Sequence, residues 1–501
     1  MALTEKEIRC RQKDVCSECF KHKATCGKQG ACNIVKKQLR DYAGIRFTSD
    51  GFDCALPVTL DSHSVCSFSC LYCFAPNLIM RREEHAMPVG QTSLKTVEDL
   101  FAGKNKHWDI YRRALKYHDR KNGYPCPIQI GGLTDPLDNI ERNQGWFLKF
   151  VEIAKKYNQP VRISTKGNLF LEQEYLDALA DRPELFWVNF SIISSDDKVI
   201  QEVDRRAPPT SERIQCIKNL TEIGVKAGLR FRPIIPGISD STDSYPTAYR
   251  TLIEMAAEAG ARNISYEVAF MPGRMTADLV DRWTEIEKIA KLPLISIYKS
   301  FGKNQACIRP SHQWTEEIMH AIYNVAKENK MNIGISDPNW KQLTECGCCC
   351  GISESDPIFG NWQRESCTNQ LMIAKNTGCT LCSKNIIPKW AYDADAGLLV
   401  NPGVGPTVRF KRKHLKWSDK LKDVWNNVDK ERSPLIYFQG ALMPVSKKNG
   451  EIIYKYVGLK RRNKTDTPYW KIKGEDSSDR RVENKNLRDR NKNNGKGSNR
   501  P

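Results

Sequence analysis

The chain has 501 residues, of which 40% are hydrophobic, and a formal net charge of +19. This length exceeds one ordinary domain, so we expect a core with appendages. It contains no run of eighteen apolar residues that would predict a membrane-spanning helix, and its polar start, MALTEKEIRC, does not resemble a secretory signal. Nineteen cysteines in short-spaced clusters therefore predict a cytoplasmic protein that uses thiols for metals rather than for disulfides.

The positive charge is concentrated near the carboxyl terminus. Residues 401–501 contain 26 Lys and Arg against 11 Asp and Glu, a surplus of 15. The first 400 residues contain 52 against 48, a surplus of only 4. The sequence thus predicts a nearly neutral core and a basic appendage.

Residues 1–45 form a cysteine-rich extension with too little apolar material for a core of its own, so we expect a metal to organise it. Its cysteines are Cys10, Cys16, Cys19, Cys26 and Cys32. The last four would make a four-thiolate zinc site, and an iron–sulfur cluster or unligated thiols are the alternatives.

Strand-like and helix-like segments alternate through residues 46–340. The predicted strands are at 55–60, 127–130, 161–165, 187–192, 229–235 and 264–270, with a last one near 332–338. The predicted helices are at about 93–118, 143–157, 172–180, 211–223 and 249–259. Repeated βα units predict an α/β fold in which a parallel sheet curls into a partial (β/α)6 barrel. Chemistry in such barrels occurs at the carboxyl ends of the strands.

A three-cysteine motif follows the first predicted strand: Cys66-Ser-Phe-Ser-Cys70-Leu-Tyr-Cys73-Phe74. Zinc would need a fourth ligand nearby, and His85 is the nearest plausible nitrogen. A 4Fe–4S cluster held by three cysteines instead leaves one iron open to a small molecule. A zinc knuckle or a chance spacing of cysteines is the alternative interpretation.

With this spacing the sequence resembles the radical S-adenosylmethionine (SAM) enzymes, whose motif holds such a cluster. The resemblance implies that SAM binds the open iron through its amino and carboxylate groups. It further implies cleavage of SAM to methionine and a 5′-deoxyadenosyl radical that abstracts hydrogen from a substrate. A reductant such as flavodoxin or ferredoxin is the implied partner.

Other residues at strand ends fit a SAM site. The cofactor-binding candidates are Gly131, Gly132, Ser164, Lys166, Ser191, Arg230 and Arg232. The resemblance implies that the glycine pair meets the methionine amino group of SAM. The two arginines alternate on the fifth strand and should face one side, where a guanidinium can clamp a carboxylate; a solvated or salt-bridged pair is the alternative.

A closer resemblance extends over residues 60–240. Gly131-Gly-Leu-Thr-Asp-Pro136, Ser164-Thr-Lys166, the run from Asp204 to Arg213 and the run from Arg232 to Asp240 are similar to the photolyase-like branch that includes spore photoproduct lyase. The lyase has a hydrogen-donor cysteine where this chain has Gly132-Leu133, and a tyrosine where it has Phe74. These departures argue against repair of the same lesion, and Cys126 nearby is expected to be a core thiol.

Residues 341–400 form a second cysteine-rich segment. It contains Cys346, Cys348, Cys349, Cys350, Cys367, Cys379 and Cys382. Seven thiols are enough for an auxiliary iron–sulfur cluster, and a zinc site or unligated thiols are the alternatives.

Residues 401–475 are predicted to form a small basic β-containing module. Strands are expected at 435–439 and at 452–457, the second after a turn at 448–450. The stretch from Lys411 to Trp417 mixes cations with an aromatic ring, which suits nucleic acid. Residues 476–501, rich in Asn, Arg, Lys and Gly, are predicted to be disordered.

The sequence therefore predicts a radical SAM enzyme, either a lyase or a modifying enzyme, with nucleic acid as the favoured substrate. A peptide- or protein-modifying radical SAM enzyme is the first alternative. A non-enzymatic, zinc-rich nucleic-acid-binding protein is the second.

Overall fold

The structure is a computed structural model. It describes residues 40–48, 54, 56–75, 90–273, 275–301, 307–386, 399–400, 406–407, 422–428, 433–438 and 440–458. The predicted amino-terminal metal site, His85, the basic stretch at 411–417 and the tail at 476–501 lie outside these residues. Within the described ranges, no helix is both long enough and apolar enough to cross a membrane.

Short strands and helices alternate through the chain. The strands are β1 Arg40–Tyr42, β2 Ile45–Phe47, β3 Val58–Leu60, β4 Gly90–Thr92, β5 Ile128–Ile130, β6 Val161–Thr165, β7 Phe186–Ser191, β8 Lys226–Ile234, β9 Asn263–Val268, β10 Met271–Pro272, β11 Cys307–Ile308, β12 Asn332–Ile335, β13 Thr380–Leu381, β14 Leu399–Val400, β15 Pro406–Thr407, β16 Leu442–Lys448 and β17 Glu451–Tyr456. The α-helices are α1 Leu94–Phe101, α2 Asp109–Ala114, α3 Glu141–Gln144, α4 Trp146–Lys156, α5 Gln173–Ala180, α6 Asp197–Val203, α7 Thr210–Glu222, α8 Ala248–Glu258, α9 Ala277–Ala290, α10 Leu294–Phe301, α11 His312–Glu328, α12 Cys367–Thr377, α13 Ser383–Ile386 and α14 Pro434–Tyr437. Four 3₁₀ helices complete the described elements: Leu169–Leu171, Pro183–Leu185, Pro338–Leu343 and Gly360–Glu365.

One large sheet dominates the described part of the chain. Its strand order is β12-β9-β8-β7-β6-β5-β3-β2. All neighbouring strands are parallel except β2, which pairs antiparallel with β3 at one edge. From β5 to β9, consecutive strands are neighbours and helices lie between them in the chain, which is the βα arrangement that the alternating pattern predicts. The predicted α/β fold with a mainly parallel sheet is confirmed.

The two faces of this sheet differ in chemistry. Alternate residues of a strand point to opposite faces, and on one face they are apolar and join the main hydrophobic core, as Val188 and Phe190 of β7 do. On the other face β7 presents Trp187, Asn189 and Ser191, and β6 presents Arg162 and Ser164, which pair with Trp187 and Asn189. A parallel sheet is ordinarily apolar on both faces, so this polar face, called the inner face below, marks the site.

The carboxyl-terminal part differs from its prediction at one place. The run 435–439 was expected to be a strand, but α14 covers residues 434–437. A short apolar run fits a buried helix as well as a strand, so its sequence pattern is ambiguous. The predicted hairpin is present: β16 and β17 pair across Asn449 and Gly450, both with positive φ. The hairpin also pairs with β13, so the cysteine-rich segment and the basic module share one sheet.

A buried carboxylate beside the sheet predicts a pH dependence of stability. Glu141 is fully buried, and its Oε1 accepts the amide of Phe147 at 2.9 Å. Burial raises the pKa of Glu141 from 4.5 to about 8. Because the folded state then binds more protons than the unfolded chain, the free energy of unfolding should fall as the pH rises from about 4.5 to about 8.

Glu141→Gln should remove the contribution of this carboxyl group to that fall. Denaturant titrations at pH 5, 6.5 and 8 measure the free energy of unfolding of wild type and variant. Glu254→Gln on the exposed surface is the control, and parallel curves for wild type and Glu141→Gln would contradict the prediction.

Candidate active site

The three motif cysteines lie on the loop after β3, at the carboxyl end of the first parallel strand. Cys70 is buried, Cys66 and Cys73 are half-buried, and all three pack with Phe68 and Ala207. The amide of Cys73 donates to the carbonyl of Cys70 at 3.1 Å, which closes a turn at the end of the motif. The loop therefore begins where the sequence predicts, at a strand end.

Distant parts of the chain hold this loop in place. The amide of Ser67 donates to Asp138 Oδ2 at 2.7 Å, in the loop after β5. The amide of Leu71 donates to the carbonyl of Val203 at 3.0 Å, at the end of α6. Because both donors are backbone amides of the loop, these hydrogen bonds constrain its path whatever its side chains hold.

The donor set fits a cluster with three cysteine ligands. Burial raises the pKa of the Cys66, Cys70 and Cys73 thiols, and the charges of neighbouring thiols act on one another. Thiols in such surroundings stay protonated until a metal displaces the proton. Among the described residues, no three His, Cys, Asp or Glu side chains are preassembled as a metal site. The fit therefore rests on donor chemistry: three thiols of one short loop match the ligands of a 4Fe–4S cluster with one open iron.

A buried network of charges lies directly against the loop. The Tyr72 hydroxyl donates to Asp204 Oδ1 at 2.5 Å, and Lys166 Nζ donates to the same hydroxyl at 2.5 Å. Asp204 Oδ2 lies 3.2 Å from Lys166 Nζ and 2.9 Å from Arg213 Nη1. Arg213 Nη1 also donates to the carbonyl of Ser191, at the carboxyl end of β7, at 2.8 Å. The network joins the motif loop to the ends of β6 and β7.

The balance of charge in this network is positive. Burial alone would raise the pKa of Asp204, but Lys166 and Arg213 bring it down from 3.8 to about 2. Burial, together with the charge of Asp204, raises the pKa of the Tyr72 hydroxyl, which stays protonated. One carboxylate thus faces two cations beside Cys70, an environment that suits an anionic ligand.

The predicted glycine pair approaches protein backbone closely. Gly131 has a φ of +81°, and a Cβ there would lie 2.1 Å from the carbonyl oxygen of Ser164. The amides of Gly132 and Leu133 donate to Asp61 Oδ1 at 3.0 and 2.8 Å. The glycine is therefore required for packing against β6, and Asp61 holds the loop that follows β5.

The end of β6 is fixed by a neighbouring carboxylate. Asp135 accepts hydrogen bonds from Thr165 Oγ1 at 2.7 Å and from the amide of Lys166 at 2.6 Å. Ser164 is buried on the inner face just before them. This arrangement orients the backbone from which the Lys166 side chain extends towards the motif loop.

Arg230 and Arg232 lie on the inner face of β8, as the alternating pattern predicts. Arg230 Nη1 donates to Ser191 Oγ at 3.0 Å, and Arg232 Nη2 donates to the carbonyl of Cys349 at 3.0 Å. Burial and the charges of Arg232 and Arg162 lower the pKa of Arg230 to about 9. Burial is the largest cause of this shift, and the charge of the Glu267 carboxylate opposes it only in part.

Part of the second cysteine-rich segment covers the inner face. The carbonyl of Cys349 accepts Ser265 Oγ at 2.5 Å, and the carbonyl of Cys350 accepts Asn263 Nδ2 at 2.8 Å, both from β9. A Cβ on Gly334 of β12 would lie 2.3 Å from the amide of Gly351. The loop from 346 to 350 therefore packs on the inner face of strands β9 and β12.

The seven cysteines of this segment do not gather at one point. Cys367 begins α12, and its neighbour Ser366 donates through Oγ to the carbonyl of Gly347 at 2.8 Å, beside the loop. Cys379 and Cys382 flank β13 beyond the other end of α12. A helix of 11 residues is about 16 Å long. One cluster would not reach all seven thiols, and the choice among cluster, zinc and free thiols stays a prediction.

Several residues of the site were not singled out in the sequence. Tyr72, Asp204 and Arg213 form the charge network, while Asp61 and Asp135 position the strand-end loops. Tyr72 stands inside the cysteine motif, and Asp204 and Arg213 bound a run already noted for its resemblance. Their partners are distant in sequence, so only the contacts reveal their roles. Cys126 is a buried thiol in a small hydrophobic cluster, as expected.

The chain is similar to one protein family and to several solved structures. A family model described as the radical SAM superfamily matches residues 62–245. No curated protein matches the chain. Spore photoproduct lyase complexed with dinucleoside spore photoproduct is similar in structure, at 13% identity and a TM-score of 0.42, over 66% of this chain and 96% of that one. A double mutant of that lyase with bound AdoMet and dinucleoside spore photoproduct has 14% identity and a TM-score of 0.41, over 58% and 78%.

SuiB of Streptococcus suis bound to S-adenosylmethionine has 13% identity and a TM-score of 0.33, over 56% of this chain and 51% of that one. At these identities and scores, the structural likenesses carry no argument about activity. The family match itself includes the cysteine motif, Lys166, and the pair Asp204 and Arg213. The chain therefore contains a radical SAM superfamily domain over residues 62–245, which indicates an enzyme, and this family implies a 4Fe–4S cluster and SAM.

Proposed function

We propose that the protein is a SAM-dependent radical enzyme that starts hydrogen abstraction from a nucleic-acid substrate. The observation that carries the SAM chemistry is the anchored loop of Cys66, Cys70 and Cys73 beside the buried cation Lys166. A reductively cleaved sulfonium needs both an electron source and a fixed orientation. The loop and its neighbours supply the groups for this purpose.

Each group has a proposed role. Cys66, Cys70 and Cys73 hold the cluster, which when bound supplies the electron that cleaves SAM. Lys166 contacts the carboxylate of SAM, because it is the cation next to Cys70 and its network has a positive surplus. Asp204 holds Lys166 in position through an ion pair of 3.2 Å.

The strand ends around this cation are proposed to line the rest of the SAM site. Their residues are Gly131, Gly132, Ser164 and Ser191. Arg230 and Arg232, for which the sequence also predicts a SAM role, donate to Ser191 Oγ and to the carbonyl of Cys349, and we assign them to a second anion.

The substrate class is proposed from charge. The 15 surplus positive charges of residues 401–501 suit phosphate contacts. Trp417 between these cations suits stacking on a base. Electron supply by flavodoxin or ferredoxin and a cytoplasmic location remain predictions. Zinc at Cys16, Cys19, Cys26 and Cys32, and a second cluster in residues 341–400, are proposals of the same kind.

Charge neutralisation tests the substrate class without disturbing the hairpin that pairs with β13. Four cations of the basic stretch are replaced by glutamine in the full-length chain. They are Lys411, Arg412, Lys413 and Lys416. Each lost phosphate contact should reduce the slope of log affinity against log salt by about 0.7–0.9. Fluorescence anisotropy with labelled DNA and RNA between low and physiological salt measures that slope.

The control variant removes four exposed lysines from other surfaces. They are Lys149, Lys218, Lys288 and Lys299. Both variants have the same net charge. A local binding site predicts weaker binding in the first variant alone, whereas a general effect of charge predicts equal weakening in both. Equal loss of affinity in the two variants, or none in either, would contradict nucleic acid as the substrate and favour a peptide substrate.

A further inference from the structure

Three arginines gather on the inner face of the sheet with too few partners. Arg162 lies on β6, and Arg230 and Arg232 lie on β8, two strands away. The charges of Arg162 and Arg232 both act on Arg230, which places the three guanidinium groups in one neighbourhood. The nearby carboxylate Glu267 on β9 pairs at 2.8 Å with a fourth arginine, Arg309, and its single charge is shared with Arg230 and Arg232.

The hydrogen bonds of these arginines are incomplete. Arg162 is only 6% exposed, and its one hydrogen bond among the described residues runs from Nη1 to Gln129 Oε1 at 3.2 Å. Its Nε and Nη2 are buried without a described partner, and so is Nε of Arg232. A buried guanidinium donor without an acceptor is costly, and native proteins ordinarily satisfy it with protein, water or ligand.

The site is built for an incoming molecule rather than for a structural ion pair. Arg230 and Arg232 are half-buried on an inward-facing strand surface, so small solutes reach them. Their described hydrogen-bond acceptors, Ser191 Oγ and the carbonyl of Cys349, are both neutral, and Glu267 is the carboxylate whose charge acts on them. Guanidinium groups whose hydrogen-bond acceptors are neutral can still bind the oxygens of a phosphate or a carboxylate through pairs of N–H donors.

We propose that the inner face between β6 and β8 binds an oxyanion, a phosphate or carboxylate group, through Arg162 and Arg230 with Arg232 at its edge. This anion is distinct from the carboxylate of SAM. Lys166 serves that group beside the motif loop. Arg162 lies three residues before Thr165, towards the amino ends of the strands, and Arg230, level with Ser191 at the carboxyl end of β7, reaches the anion from the side of the SAM site. The further statement that the anion belongs to the substrate rests on the proposed function.

Calorimetric titration of the anaerobically reconstituted full-length chain tests the site. Inorganic phosphate and acetate are the two probes, with ionic strength held constant by potassium chloride. Arg162→Met and Arg230→Gln should each weaken binding of the preferred probe roughly ten- to a hundred-fold, because each removes charge-assisted hydrogen bonds. Preference for phosphate assigns a phosphate group, and preference for acetate assigns a carboxylate group. The control is Arg250→Gln, an exposed arginine already paired with Glu254 and Glu328, which should bind as wild type.

Thermal unfolding gives a second measurement. Without the anion, Arg230→Gln should not lower the melting temperature, because it removes one of three neighbouring like charges. With the preferred probe, the wild-type melting temperature should rise and that of Arg230→Gln should not. If Arg162→Met does not fold, Arg230→Gln decides the question.

Two results would overturn the proposal. One is equal affinity of wild type and Arg230→Gln for both probes. The other is loss of probe binding when saturating SAM is added, since the arginines would then belong to the SAM site. SAM cleavage is assayed on the same preparation, so failure of the oxyanion site is distinguishable from failure of the radical SAM assignment.

Discussion

Replacing Cys66, Cys70 and Cys73 together by alanine is expected to remove about four irons per chain and to abolish formation of 5′-deoxyadenosine from SAM. The three thiols lie on one anchored loop at the carboxyl end of β3. Other cysteines cannot take their place, because the loop from 346 to 350 is held by β9 and β12 instead. Iron and sulfide analysis after anaerobic reconstitution, followed by a SAM cleavage assay with dithionite, measures both effects.

The matched control removes a thiol that has no place in the site. Cys216 is fully buried in the hydrophobic core on α7. Cys216→Ala should keep its iron and its SAM cleavage and lose only some stability, as a core truncation does. Persistent 5′-deoxyadenosine formation in the triple variant would show that the motif does not carry the reaction.

Asp204→Asn is expected to lower the free energy of unfolding by about 3–5 kcal/mol at neutral pH, because it leaves two buried cations with no counter-charge. Lys166 and Arg213 both pair with this carboxylate. The pKa of Asp204 is lowered from 3.8 to about 2, so its contribution is complete above pH 3.8 and is lost as the pH falls towards 2. Denaturant titrations at pH 7 and pH 3 should therefore show a smaller difference between variant and wild type at pH 3.

Asp243→Asn is the control for this prediction. Asp243 pairs with Lys291 on the surface, and its side chain is 87% exposed. An exposed pair contributes about 0–1 kcal/mol. If the two variants were equally stable, the network would not support the motif loop. In addition, Asp204→Asn should raise the KM for SAM more than it lowers kcat, since Lys166 loses the group that positions it.

The motif cysteines and Asp204 have different roles in the same site. The cysteines supply the donor atoms, whereas Asp204 positions Lys166 against the loop and accepts a hydrogen bond from Tyr72 within it. A variant with an intact cluster but weakened SAM binding would separate the two roles. Iron content and the KM for SAM, measured on one Asp204→Asn preparation, make that separation visible.

The order of strands and helices in the core follows from local sequence. The third parallel strand was predicted at 161–165 and is Val161–Thr165. The helix predicted at 172–180 is Gln173–Ala180. Strand and helix periods, and the position of the cysteine motif after the first strand, are properties of neighbouring residues. These features can be predicted without knowledge of the fold.

The partners across the site follow from the tertiary structure alone. Tyr72 and Asp204 are 132 residues apart in the chain, yet they share a hydrogen bond of 2.5 Å. The run 435–439 contains too few residues for the period of its apolar positions to distinguish a helix from a strand. In the structure it begins as the helix α14. Likewise, spacing indicates that thiols are numerous in residues 341–400, but the path of α12 separates Cys367 from Cys379. Sequence patterns report periodicity and spacing, whereas pairing of charges and grouping of ligands depend on which distant segments the folded sheet brings together.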